Sequence, residues 1–200
     1  MKNLEQTIRR ILKEETQNIG EFMDTLKFKY DMSDELTTFI ENFIDKSNCP
    51  RISFVNFKMQ AFGASLLNGV LINKLVLNQK LEFMLYVIFH EIAHQYQYKK
   101  YGREKMIEFY KDEISSDEAA KFMKNVELVA DNFAARKIRE LQKMGLVNPN
   151  YITPSVYENY PIQAIQKFID SIRKELRIKN IRDIDDITEF LYNTIKSEIQ

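Results

Sequence analysis

The chain is short of cysteine and histidine, of excess charge and of long apolar runs, and each shortage excludes something. One cysteine in 200 residues, Cys49, rules out an intramolecular disulfide framework and any cysteine-rich metal module. No stretch approaches the roughly 20 consecutive apolar residues of a membrane helix. The 29 basic residues balance 29 acidic ones, so the formal net charge is zero. Such a chain does not bind nucleic acid or anionic membranes by broad electrostatic attraction. The opening residues Met1-Lys2-Asn3-Leu4-Glu5 are polar where a secretory leader has an apolar segment. The expectation is a cytoplasmic protein without membrane or nucleic-acid partners. Abundant Ile, Lys and Asn point to an AT-rich genome, bacterial, phage or viral. There is no internal repeat and no low-complexity tract.

What is present is a 44% hydrophobic composition, enough for a real core in a chain of single-domain length. The pattern predicts an α+β fold over residues 1–200. Helices fill 1–46, a sheet and two long helices fill 51–145, and a helical extension fills 148–200. Leu4, Ile8, Ile11 and Leu12 form an apolar stripe at helical spacing. Gly20 marks a break or kink, after which Phe22, Met23 and Leu26 continue the stripe. Ser33 and Asp34 signal a new helix, with Leu36, Phe39, Ile40, Phe43 and Ile44 as its buried face. Ser47-Asn48-Cys49-Pro50 interrupts the pattern, and the period then changes from 3.6 to 2. Strands are predicted over 52–57, 61–67 and 70–77, with Asn68-Gly69 as a hairpin turn. They should form a small antiparallel sheet. Residues 81–101 follow as one long helix, with Asn78 as its N-cap and Gly102 as its stop.

Both histidines of the chain fall in that helix, in His90-Glu91-Ile92-Ala93-His94. His90 and His94 stand at i and i+4, so they share a face with Cβ atoms about 5–6 Å apart. Two imidazoles so spaced can grip one metal ion, typically Zn²⁺. Glu91 is rotated about 100° from His90. There it can take a proton from a water at the metal without being a ligand itself. The lead-in Phe83-Met84-Leu85-Tyr86-Val87-Ile88-Phe89 is apolar on every side, which marks a helix buried all round. Polar groups inside such a helix are costly unless paired or metal-bound.

Residues 103–114 are expected to form a short helix. Ser115-Ser116-Asp117-Glu118 reads as a capping box that opens a helix running to about Met144, ended by Gly145. Glu127 and Asp131 lie one turn apart on that helix, beside the small residues Ala120, Ala130 and Ala134. Small residues permit close approach to another helix. If that helix is the histidine helix, Glu127 becomes a third ligand, and Asp131 orients a histidine from behind. Asp131 itself, Glu118 and Glu113 compete for the ligand position. Residues 148–160 are turn-rich. Ile162, Ile165, Phe168, Ile169, Ile172 and Leu176 line one further helix; Ile184, Ile187, Phe190, Leu191 and Ile195 line another. The basic residues Arg173, Lys174, Arg177, Lys179 and Arg182 are interspersed with acids and read as a solvated helix face.

Over about residues 52–141 the chain resembles the gluzincin zinc metallopeptidases. The resemblance rests on the strand-rich lead-in, His90-Glu91-Ile92-Ala93-His94, and Glu127 followed by Asp131. In size it is similar to the small single-domain members, the minigluzincins. The resemblance implies a zincin-like fold, zinc held by His90, His94 and Glu127, Glu91 as general base and acid, and Asp131 in support. It implies hydrolysis of a protein or peptide substrate lying extended along the sheet edge. Larger gluzincins supply a later histidine or tyrosine to steady the oxyanion. Here no histidine remains, and Tyr151, Tyr157 and Tyr160 are the candidates. The alternative expectation is a zinc-binding, peptidase-like regulatory protein without proteolytic activity. The terminal helices lie outside the resemblance, with three roles open: covering the cleft, inhibiting it, or completing the core.

Overall fold

The structure, a computed structural model, describes residues 19–47, 49, 51–58, 61–66 and 69–199. The predicted stripe Leu4, Ile8, Ile11 and Leu12 lies outside the described residues, as do Asn48, Pro50 and Asn68. Helix α1 (Ile19–Tyr30) includes Gly20, and the residues before Ile19, on which the expected break or kink depends, lie outside the described residues. Helix α2 (Asp34–Lys46) begins where expected: the Ser33 hydroxyl accepts the Leu36 N–H, satisfying a donor that has no partner within the helix. Phe22, Met23 and Leu26 of α1 pack with Leu36, Ile40, Phe43 and Ile44 of α2. These N-terminal helices thus complete the core.

Strands β1 (Ile52–Val55), β2 (Gly63–Leu66) and β3 (Gly69–Asn73) form one sheet in the order β1-β3-β2. The sheet is mixed, which corrects the antiparallel expectation. β2 and β3 are the antiparallel pair, while β1 runs parallel to β3 with Ile52 opposite Val70. The hairpin signal is local, but the parallel pairing is set by the path of the chain between Val55 and Gly63. Both faces of β3 are buried, because helices cover both sides of the sheet. The strand ends at Asn73, whose side chain accepts the Leu75 N–H and opens a 3₁₀ turn (Lys74–Asn78). The strand expected to reach residue 77 is thus cut short.

Helix α3 (Leu81–Tyr101) carries both histidines. Lys80, not Asn78, is its N-cap, and no side chain caps it. Gly102, at φ 80°, ends it. A short helix α4 (Arg103–Ile107) and a 3₁₀ turn (Glu108–Tyr110) lead to α5 (Ser116–Lys143). The capping box at Ser115 and Glu118 is present, and Gly145, at φ 72°, follows the helix end. α5 packs along α3, and its Ala134, Ile138 and Leu141 share the core with Leu85, Ile88 and Phe89 of α3. Helices α6 (Ile162–Ile178) and α7 (Ile184–Ser197) close the other side of the molecule. Among the described residues, no helix is long and apolar enough to cross a membrane. Arg173 departs from the solvated-face reading. It is buried, and its guanidinium donates to the Phe109 carbonyl and the Ser116 hydroxyl, fastening α6 to the start of α5.

Candidate metal centre

The close packing of α3 on α5 sets the site. His90 and His94 project from α3 toward α5, and Glu127 projects back between them. His90 Nε2 lies 3.2 Å from His94 Nε2 and 3.2 Å from Glu127 Oε2; His94 Nε2 lies 3.5 Å from the same oxygen. Ligand atoms held about 2.0–2.2 Å from one tetrahedral centre stand about 3.3–3.6 Å apart. The observed triangle is close to that size. His90, His94 and Glu127 are also the only cluster among the described residues able to hold a metal ion. The rival carboxylates are elsewhere: Glu118 is occupied by the capping box, Glu113 is exposed, and Asp131 lies on the far side of the His90 ring.

The outer partners of the rings decide where their protons sit. Gln97 Oε1 is 2.7 Å from His94 Nδ1, while Gln97 Nε2 donates to the Val126 carbonyl at 2.8 Å. That carbonyl only accepts, so the amide nitrogen must face it and the amide oxygen must face the ring. His94 Nδ1 therefore carries a proton, and Nε2 of the neutral ring is a bare lone pair. His90 Nδ1 is 2.9 Å from Asp131 Oδ1, close enough for ion pairing although not aligned as a hydrogen bond. It too faces an acceptor. With neutral rings, three acceptor atoms would meet with no hydrogen between them. That arrangement needs either a cation or extra protons.

Without a cation, protons fill the gap. Burial works against a charged His90, but Asp131, Glu127 and Glu91 outweigh it and hold its pKa up to about 10. His94 is also raised: burial opposes, and Glu127 overrides it. Burial would raise Glu127 as well, yet the two imidazoles hold its carboxyl far below the ordinary range. Asp131 is likewise held low despite burial, because His90, the Tyr86 hydroxyl at 2.6 Å and the Tyr157 N–H at 3.1 Å all favour its charged form. Glu91 behaves oppositely: burial raises its pKa, only partly offset by the histidines.

Glu91 stands against the sheet. A Cβ added to Gly63 would lie 2.7 Å from Glu91 Cγ and 2.8 Å from Oε1, so a side chain at 63 would displace this carboxylate. Gln95 holds β2 in place by donating to the Ser65 hydroxyl at 2.5 Å and the Leu66 carbonyl at 2.6 Å. A cavity of about 520 Å³ opens from His90, Glu91, His94 and Glu127. Its walls include Leu66 of β2, Ile107 of α4, Val126 of α5, Ile172 of α6 and Leu191 of α7. Burial pushes the Tyr98 hydroxyl, on the same wall, up to about 12, so it stays a neutral donor.

Of the three candidate tyrosines, Tyr157 reaches the site. It lines the cavity, and its ring stacks 6.1 Å from the His90 ring at 15°. Tyr151 packs against the main core, and Tyr160 is exposed, 5.6 Å from Tyr157 ring to ring. Gln97, Tyr86 and Gly63 were not singled out from the sequence. For Gln97 the signal was available: a polar residue on the histidine face of a helix otherwise buried all round. Comparison with family models, curated proteins and solved structures finds no match.

Proposed function

We propose that the protein is a zinc-dependent metallopeptidase. The observation that carries the reading is the convergence of His90 Nε2, His94 Nε2 and Glu127 Oε2 at 3.2–3.5 Å from one another at the mouth of a cavity. A closed four-ligand structural site would need no base and no cavity. Here a buried carboxylate, Glu91, stands beside the triangle, and the space in front of it is open.

When bound, zinc would polarise a substrate carbonyl and lower the pKa of water to near neutrality. The chain supplies the rest. Glu91 accepts the proton released when water attacks the carbonyl and returns it to the leaving amine. Asp131 and Gln97 hold the two rings with their outer nitrogens protonated. Tyr157, beside His90, is the nearest of the candidate tyrosines to steady negative charge on the carbonyl oxygen. β2 is the edge strand next to Glu91, and an extended peptide can add along it. The apolar walls favour substrates with bulky apolar side chains beside the cut.

Elemental analysis of purified protein tests the reading: about one zinc per chain is expected, with most of it lost in Glu127→Ala. Absence of bound metal after refolding with excess zinc would overturn the proposal. Zinc binding without cleavage of broad peptide libraries would favour the regulatory alternative.

A further inference from the structure

Gln97 sits one turn beyond His94 on α3, buried to 5% exposure, and its single amide reaches both metal-site helices. The oxygen end meets His94 Nδ1; the nitrogen end meets the carbonyl of Val126, the residue before Glu127 on α5. We propose that Gln97 is a positioning residue that fixes the metal-binding tautomer of His94 and locks the spacing between the two ligand-bearing helices. The inference rests on the reading of His94 as a ligand.

The two histidines are held by different chemistry. His90 faces a carboxylate and His94 a neutral amide. Charge explains why that difference matters. Glu91, Glu127 and Asp131 already place up to three negative charges around the site, so one divalent cation leaves it near minus one. A carboxylate behind His94 would orient the ring equally well, but would leave the site near minus two and weaken the pull of the cation on a substrate carbonyl. The amide orients without adding charge. Its second bond does what a carboxylate cannot: it donates to α5. Glu127 and His94 are thereby set 3.5 Å apart through two short hydrogen bonds rather than by helix packing alone.

Gln97→Met keeps the length of the side chain and removes both hydrogen bonds. Gln97→Glu keeps the acceptor toward His94 and loses the donor toward Val126. Zinc affinity is measured by chelator competition, alongside melting of the metal-free proteins. Gln97→Met is expected to bind zinc about 10–100-fold more weakly, the usual cost of losing an outer partner of a ligand histidine. Gln97→Glu should recover only part of that affinity, because its carboxylate accepts from His94 Nδ1 but cannot donate to the Val126 carbonyl, and should show a lower kcat. In zinc-loaded wild-type protein, ¹⁵N shifts should place the His94 proton on Nδ1. If Gln97→Met binds zinc within about threefold of wild type, or if that proton is found on Nε2, the inference is wrong while the metallopeptidase reading stands. A Gln97→Glu variant as weak as Gln97→Met would show that the bond to His94 adds nothing to zinc binding and would overturn the tautomer-fixing role. A wild-type protein that takes up no zinc removes both.

Discussion

The two sides of α3 are built on different plans. Behind it, α1, α2, the sheet and the end of α5 form one continuous core in which Phe22 stacks on Phe54 at 4.6 Å and Phe43 meets Phe89 edge-on at 4.9 Å. In front of it, α4, α6 and α7 gather into small separate clusters around a cavity. A dense back fixes where His90, Glu91 and His94 point; a sparse front leaves room for a substrate. Stability is thus drawn from one face of the helix, and the proposed chemistry from the other.

That contrast can be broken by substitution. The largest effect is expected behind α3. Phe89→Ala removes a fully buried ring from the dense side and should cost about 3–5 kcal/mol in urea unfolding, enough to unfold a marginal domain. Glu91→Gln should lower peptide cleavage by about 10²–10⁴-fold with zinc content and melting temperature little changed. Gly63→Ala should push the Glu91 carboxylate aside and cost about 10²-fold in kcat with zinc retained. Unaltered cleavage in Gly63→Ala would show that the sheet does not hold the base.

A smaller effect concerns pH in metal-free protein. The His90 pKa rises from an ordinary value near 6.5 to about 10 on folding. The stabilisation from its protonated form is therefore complete below about pH 6.5 and disappears as pH climbs through about 10. Metal-free protein should melt at progressively lower temperature across that window. With zinc in place of the protons the trend should be absent or reversed. The smallest stability change is expected in front of α3. Leu191→Ala in the cavity wall should cost roughly 1 kcal/mol or less, while raising KM for peptides with bulky apolar side chains. A cost equal to that of Phe89→Ala would erase the distinction between the two sides.

Much of this was legible in the sequence, and the limits have physical causes. Helix spans followed from apolar spacing, and the start of α5 from Ser115 and Glu118, because caps and stripes are local. The pairing of His90 with His94 is set by one turn of helix, so it too could be read directly. Glu127 was reachable only by assuming that α5 meets α3, which the alanines of α5 made reasonable. The parallel pairing of β1 with β3 was not legible, since it depends on the route taken between distant residues. Nor was the burial of Arg173, whose partners Phe109 and Ser116 lie far back in the chain. Gly63 matters only because Glu91 arrives beneath it, and no sequence spacing announces that encounter.

The rings flanking His90 have a practical use. Tyr86 and Tyr157 lie 6.3 Å and 6.1 Å from the imidazole, centre to centre. The chain contains no tryptophan to mask phenol emission. Cobalt or copper entering beside His90 should therefore dim the ultraviolet fluorescence of these neighbours, giving a label-free optical titration of occupancy before any substrate is known.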